Sequence, residues 1–95
     1  MTVEFHPAAF TEAEEAQAWY LERSVLAASA FLQELSRAIQ QIRQAPHRYA
    51  VAEAGTRKIL IARFPFTIYY RHTSNVLTIV AVAHQKRRPG YWRNR

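Results

Sequence analysis

His84 and Tyr91 stand in a segment that also carries Lys86, Arg87, Arg88 and Arg93. Histidine exchanges a proton near neutral pH without a large shift, and a tyrosine either donates a proton through its hydroxyl or offers its ring as a platform for a base. Cleavage of RNA by attack of a 2′-hydroxyl on its own phosphate needs such parts: a proton acceptor, a proton donor for the leaving 5′-oxygen, and cations that stabilise charge on the phosphate. Each residue also has a structural use. A histidine at the end of a buried strand more often caps or hydrogen-bonds, and Tyr91 with Trp92 fits equally as a cover for a sheet edge. Glu53, the one acid in the middle of the chain, serves as a general base only if residues 47–56 fold over the site.

The charge around these residues is one-sided. Between Arg57 and Arg95 there are nine basic residues, Arg57, Lys58, Arg63, Arg71, Lys86, Arg87, Arg88, Arg93 and Arg95, and no acid. The net charge of the chain is +6. Such a field attracts polyanions or acidic protein segments. Cysteine is absent and the four histidines, His6, His47, His72 and His84, are scattered. That excludes disulfides and argues against a structural zinc site, so neither a metal nor a cofactor is expected. No apolar run is long enough for a membrane helix, and the N-terminal MTVEFHPAAF lacks the basic start and apolar middle of a signal peptide, so a soluble cytoplasmic protein is expected.

The elements that must position these residues can be read from periodicity. Residues 1–95 suffice for one domain with one modest core. Thr2 to His6 alternates and stops at Pro7, as a short strand does. Ala9, Ala13, Ala16 and Tyr20 then recur at helical spacing, with Thr11 as the expected cap and Glu12, Glu14 and Glu15 in the first turns, where the helix dipole favours negative charge. Ser24 caps a second helix whose stripe is Ala28, Phe31, Leu35, Ala38 and Ile42, closed before Pro46. After an irregular link, three runs rich in Ile, Val, Tyr and Phe read as strands: Lys58 to Ala62, Phe66 to His72, and Val76 to Ala83. The last is almost wholly apolar, as suits a central strand covered on both faces. The expected fold is α+β, in the order βααβββ, with a helical hairpin packed on a mainly antiparallel four-stranded sheet. Phe31, Leu35, Ile42, Ile59, Ile61, Ile68, Ile79 and Val80 are the expected core.

RFPFTIYYR at Arg63 to Arg71, followed by a strand and then AVAHQKRRPGYW at Ala81 to Trp92, resembles the C-terminal half of RelE/ParE toxins of type II toxin-antitoxin systems. The N-terminal half agrees, with Trp19-Tyr20 ending the first helix and FLQEL in the second. The resemblance implies the βααβββ fold and a growth-arresting toxin bound by a cognate antitoxin through an extended or helical, acidic segment, in a hetero-oligomer. It leaves two targets open. As a ribosome-dependent, metal-independent messenger RNA endoribonuclease, the chain would hold phosphate with Arg63 and Arg87 and move protons with His84 or Tyr91. As a non-catalytic inhibitor of DNA gyrase it would need only a surface. Under either, Arg57, Lys58, Arg71, Lys86, Arg88, Trp92 and Arg93 are the expected contacts to nucleic acid or target. A member that binds its antitoxin without toxicity is a third possibility.

Overall fold

The structure is a computed structural model that describes residues 1–95. The elements run β1 (Thr2–Phe5), α1 (Pro7–Leu21), α2 (Val25–Gln44), β2 (Ala50–Val51), β3 (Arg57–Leu60), β4 (Phe66–Thr73) and β5 (Val76–His84). The class and element order agree with the sequence reading, apart from the additional strand β2. That strand is two exposed residues long, too short for any alternation to show. It turns into β3 through Ala54 and Gly55, whose φ angles of 58° and 69° are the left-handed pair that a tight hairpin of this hand requires.

Helix α1 begins earlier than expected. Pro7 at its first position has φ already set for a helix, and the His6 imidazole accepts a hydrogen bond from the Ala8 amide, so Thr11 lies inside the helix rather than capping it. Consequently no acid occupies the first turn. The dipole argument for Glu12 does not apply, and the side chain has another use. Helix α2 begins and ends as read, with the Ser24 hydroxyl accepting from the Ala27 amide at 3.2 Å and Ala45 as its C-cap before Pro46. No helix is long and apolar enough to cross a membrane.

The strands form one sheet in the order β1-β5-β4-β3-β2. All neighbours are antiparallel except β1, which lies parallel to β5 and pairs only with Val76 to Ile79. Val80 is an extra residue in β5, since Tyr69 pairs with Ala81 while Tyr70 pairs with Ile79. Beyond Val80, therefore, β5 has β4 on one side and no strand on the other.

The helical hairpin covers one face of the sheet. Phe31, Leu35, Ile42, Ile61, Ile68 and Ile79 are buried there with Tyr70 and Leu77. Ile59, expected in this core, is only partly buried, because β3 lies near the thin β2 edge. The opposite face carries a smaller cluster, Val80, Ala81, Ala83 and Trp92, packed with Tyr69 and Tyr91. The two covers together explain why β5 is apolar almost throughout.

Candidate functional site

After His84 the chain makes a series of turns and folds back beside β5. Gly90, at φ 73°, supplies one reversal, and the Arg93 amide then bonds to its carbonyl. Trp92 reaches the sheet and packs on Tyr69 with ring centroids 4.3 Å apart and 2% exposure. The tail is thereby part of the fold, and Trp92 acts as a cover.

The tail is fastened at Glu12. The Tyr91 hydroxyl donates to one carboxylate oxygen at 2.6 Å, and Arg95 grips both oxygens at 2.9 and 3.0 Å. The same carboxylate accepts the Val82 amide of β5 at 3.0 Å, while Arg95 also donates to the Val80 carbonyl at 3.1 Å. Bidentate, charge-assisted bonds of this type are among the stronger polar contacts in proteins. The Arg87 guanidinium lies over the Tyr91 ring, 3.8 Å from its centroid. Burial, then the hydrogen bond to Glu12 and its charge, push the Tyr91 hydroxyl far above its ordinary pKa, against the opposing pull of Arg87 and Arg95.

The direction of that shift fixes a pH dependence. A group held protonated more firmly in the folded state contributes stability that is complete below its unfolded pKa and is lost as pH rises through the folded one. Above the ordinary tyrosine value of about 10, stability conferred by Tyr91 therefore declines. Tyr91→Phe removes this portion, so its urea midpoint should fall less than that of the parent between about pH 9 and about pH 11. Equal falls in the two proteins would show that the hydroxyl is not held by Glu12.

Three of the four residues expected to do chemistry, His84, Arg87 and Tyr91, meet at this end of β5. The His84 Nδ1 accepts the Lys86 amide at 3.0 Å, and its ring stands edge-on to Phe66 at 5.1 Å. Arg63 is held elsewhere, in a turn at φ 67°, with its Nε 3.6 Å from the carboxylate of Glu34, a residue only 4% exposed. Glu34 also pairs with Arg37 at 2.8 Å. Arg57 bonds to the Tyr49 carbonyl, Arg71 to the carbonyls of Ala54 and Arg95, and Arg93 to Glu53 at 3.2 Å. Lys58, Lys86 and Arg88 are exposed.

Two hollows flank the free end of β5 and share His84 and Arg87. One, of about 430 Å³, lies toward the helices, walled by Ala16, Trp19, Tyr20, Phe66 and Val82 with Lys86 at its rim. The other, of about 180 Å³, lies on the opposite face among Thr67, Tyr69, Ala83, Arg88 and Tyr91.

Glu12 and Glu34 were not singled out by sequence reasoning, although a signal existed. Glu12 stands three residues after buried Ala9 and Glu34 three after buried Phe31, on the faces that helical spacing assigns to the core. An acid on such a face needs a partner, and each has arginine.

The family model described as the ParE toxin of type II toxin-antitoxin system, parDE, matches residues 3–89. A chain from a solved structure, the chromosomal ParDE TA system from P. aeruginosa, superposes with a TM-score of 0.62 at 13% identity, over 88% of this chain and 95% of that one. No curated protein matches the chain significantly. The matched region stops before Tyr91, Trp92 and Arg95, so the fastening at Glu12 lies partly outside it.

Proposed function

Because this chain belongs to the ParE toxin family of type II toxin-antitoxin systems, we propose that it arrests growth by binding DNA gyrase and trapping it on cleaved DNA. In this reading its own side chains make and break no bond, and an antitoxin neutralises it in a hetero-oligomer within the cytoplasm. One observation carries the choice of a surface over a catalytic site: three of the four groups expected to do chemistry are tied to partners of the fold itself, although the Arg63 and Arg87 side chains stay more than half exposed. The Tyr91 hydroxyl is committed to Glu12, Arg87 stacks on the Tyr91 ring, and Arg63 faces buried Glu34. Raising the pKa of Tyr91 also makes it a weaker acid at neutral pH. A gyrase inhibitor requires only a surface, and the hairpin offers an apolar one in Trp19, Leu21, Val25 and Leu26, all exposed.

A second reading, a ribosome-dependent messenger RNA endoribonuclease, keeps one observation in its favour. His84 stands beside Lys86 and Arg87 at the rim of both hollows, with Nε2 left for proton transfer.

Purified protein added to gyrase should block supercoiling and leave gyrase-linked DNA breaks, while messages in a translating extract stay whole. His84→Gln should inhibit gyrase within about twofold of the parent. New 5′ ends inside codons, lost in His84→Gln, with gyrase unaffected, would instead establish the ribonuclease reading.

A further inference from the structure

In sequence the four histidines stand far apart, and the fold brings two of them together. The His47 and His72 rings lie with centroids 5.2 Å apart at an interplanar angle of 67°. His72 is near the end of β4, two residues after Tyr70, and so shares the helix-facing side of that strand with Phe66, Ile68 and Tyr70. His47 stands just past the end of α2, after Pro46. The hydroxyl of fully buried Tyr70 donates to the Pro46 carbonyl at 2.7 Å, so β4 itself fixes the segment that presents His47. Proline adds a locked φ at that point.

These two rings differ from the other histidines in what they bond. His6 and His84 each commit Nδ1 to a backbone amide. Neither His47 nor His72 forms a hydrogen bond or ion pair within the fold, and none of their nitrogens is sealed from solvent. Free imidazole nitrogens are ligands for divalent transition ions. The spacing agrees with that use. An ion about 2.0–2.1 Å from a ring nitrogen lies about 3.2 Å from the ring centre, and two rings at a tetrahedral angle then have centres about 5 Å apart. No third His, Cys, Asp or Glu side chain joins the pair, so water completes the set. The end of α2 adds a favourable field, because the last carbonyls of a helix carry partial negative charge. Arg43 and Arg48 oppose it, but both are exposed, and water and salt screen their charge.

We propose that His47 and His72 form a binding site for one divalent transition ion that favours imidazole, such as zinc, nickel or copper, with water at its remaining positions. The bound ion joins the end of α2 to β4. The site lies at the opposite end of β4 from Phe66, which pairs with His84, and is therefore separate from the two hollows and from Glu12. It does not depend on which target the toxin arrests. Two ligands supply roughly half the binding free energy of a four-ligand structural site, which corresponds to a dissociation constant between about 1 and about 200 µM for zinc. Magnesium and calcium, which take oxygen ligands, should not be held.

Zinc chloride titrated into the full chain carrying no affinity tag, followed by calorimetry and by the imidazole NMR signals, tests the site. One ion per chain should bind, and the His47 and His72 signals should move while those of His6 and His84 stay. Zinc at about ten times its dissociation constant should raise the thermal midpoint by about 5 °C, and a chelator should reverse the rise. His47→Ala and His72→Ala should each weaken binding by about 10-fold or more. Their thermal midpoints in chelator show that they fold, and the exposed position of His47 makes its variant the safer of the two. Parental affinity in His47→Ala, or movement of the His6 or His84 signals instead, overturns the site. So does the absence of heat and of any shift at about 1 mM zinc, which would leave the two rings as an aromatic contact only.

Discussion

Phe31→Ala should lower the free energy of unfolding by about 3–5 kcal/mol, the largest effect expected from any single truncation in this chain. Phe31 is fully buried and is the centre of an aromatic group: its ring lies 5.5 Å from Tyr20, 5.4 Å from Phe64 and 5.4 Å from Phe66. These neighbours come from α1, from the turn before β4 and from β4 itself, so the side chain joins both helices to the sheet. Three rigid rings cannot collapse into the space that alanine leaves, which places the loss toward the upper part of the range. A domain of this size has total stability of roughly 5–15 kcal/mol, so the variant should be partly unfolded at modest urea concentration. Chemical denaturation with an unchanged slope gives the value. A loss below about 1 kcal/mol would mean that the ring is solvated and the packing of α2 misplaced.

Glu12→Ala is the second. Three donors converge on that carboxylate, Tyr91, Arg95 and the Val82 amide, and its side chain is 12% exposed. Truncation leaves Tyr91 and the Val82 amide without an acceptor and Arg95 with only the Val80 carbonyl, in a half-closed setting, at a cost of about 2–4 kcal/mol, below that of a fully buried pair because water reaches the site. Most of this cost comes from the abandoned partners. Arg95→Ala made together with Glu12→Ala should therefore be less destabilising than the sum of the single changes. Strict additivity would show that the two side chains do not interact. The Trp92 indole gives a local readout, since its emission should shift to longer wavelength as the tail comes away from Tyr69.

Much of the fold was legible in advance because it is written in periods. The α2 stripe, the Ser24 cap, the stop before Pro46 and the almost wholly apolar β5 each follow from spacing, and each is present. What escaped notice depended on partners distant in sequence. Glu12 reads as a solvated helix charge until Arg95 and Tyr91 arrive from the other end of the chain, and Val80 reads as one more β-branched residue until its pairing reveals an insertion. Thr11 has the residue type of a cap, whereas the His6-Pro7 pair starts the helix by a less common route. For the site, sequence brought His84, Arg87 and Tyr91 to the same place, but it gave no means of separating Arg63 from them. That separation is made by the buried Glu34, whose partner is set by tertiary packing.

The parallel pairing of β1 with β5 sets Thr2 opposite Val76, and it bears on the order of assembly. Helical hairpins form from contacts near in sequence and form early, whereas a strand pair of this separation must first close a loop that spans most of the chain. During synthesis α1 and α2 can meet while the central strand is still to be made. Until β5 is complete, the apolar stripe of α2 and the rings around Phe31 have no sheet to cover, and the nascent chain presents them to any chaperone or protease nearby. A chain stopped before β5 would therefore be expected as an exposed hairpin marked for degradation, so premature termination should not produce a partly active toxin.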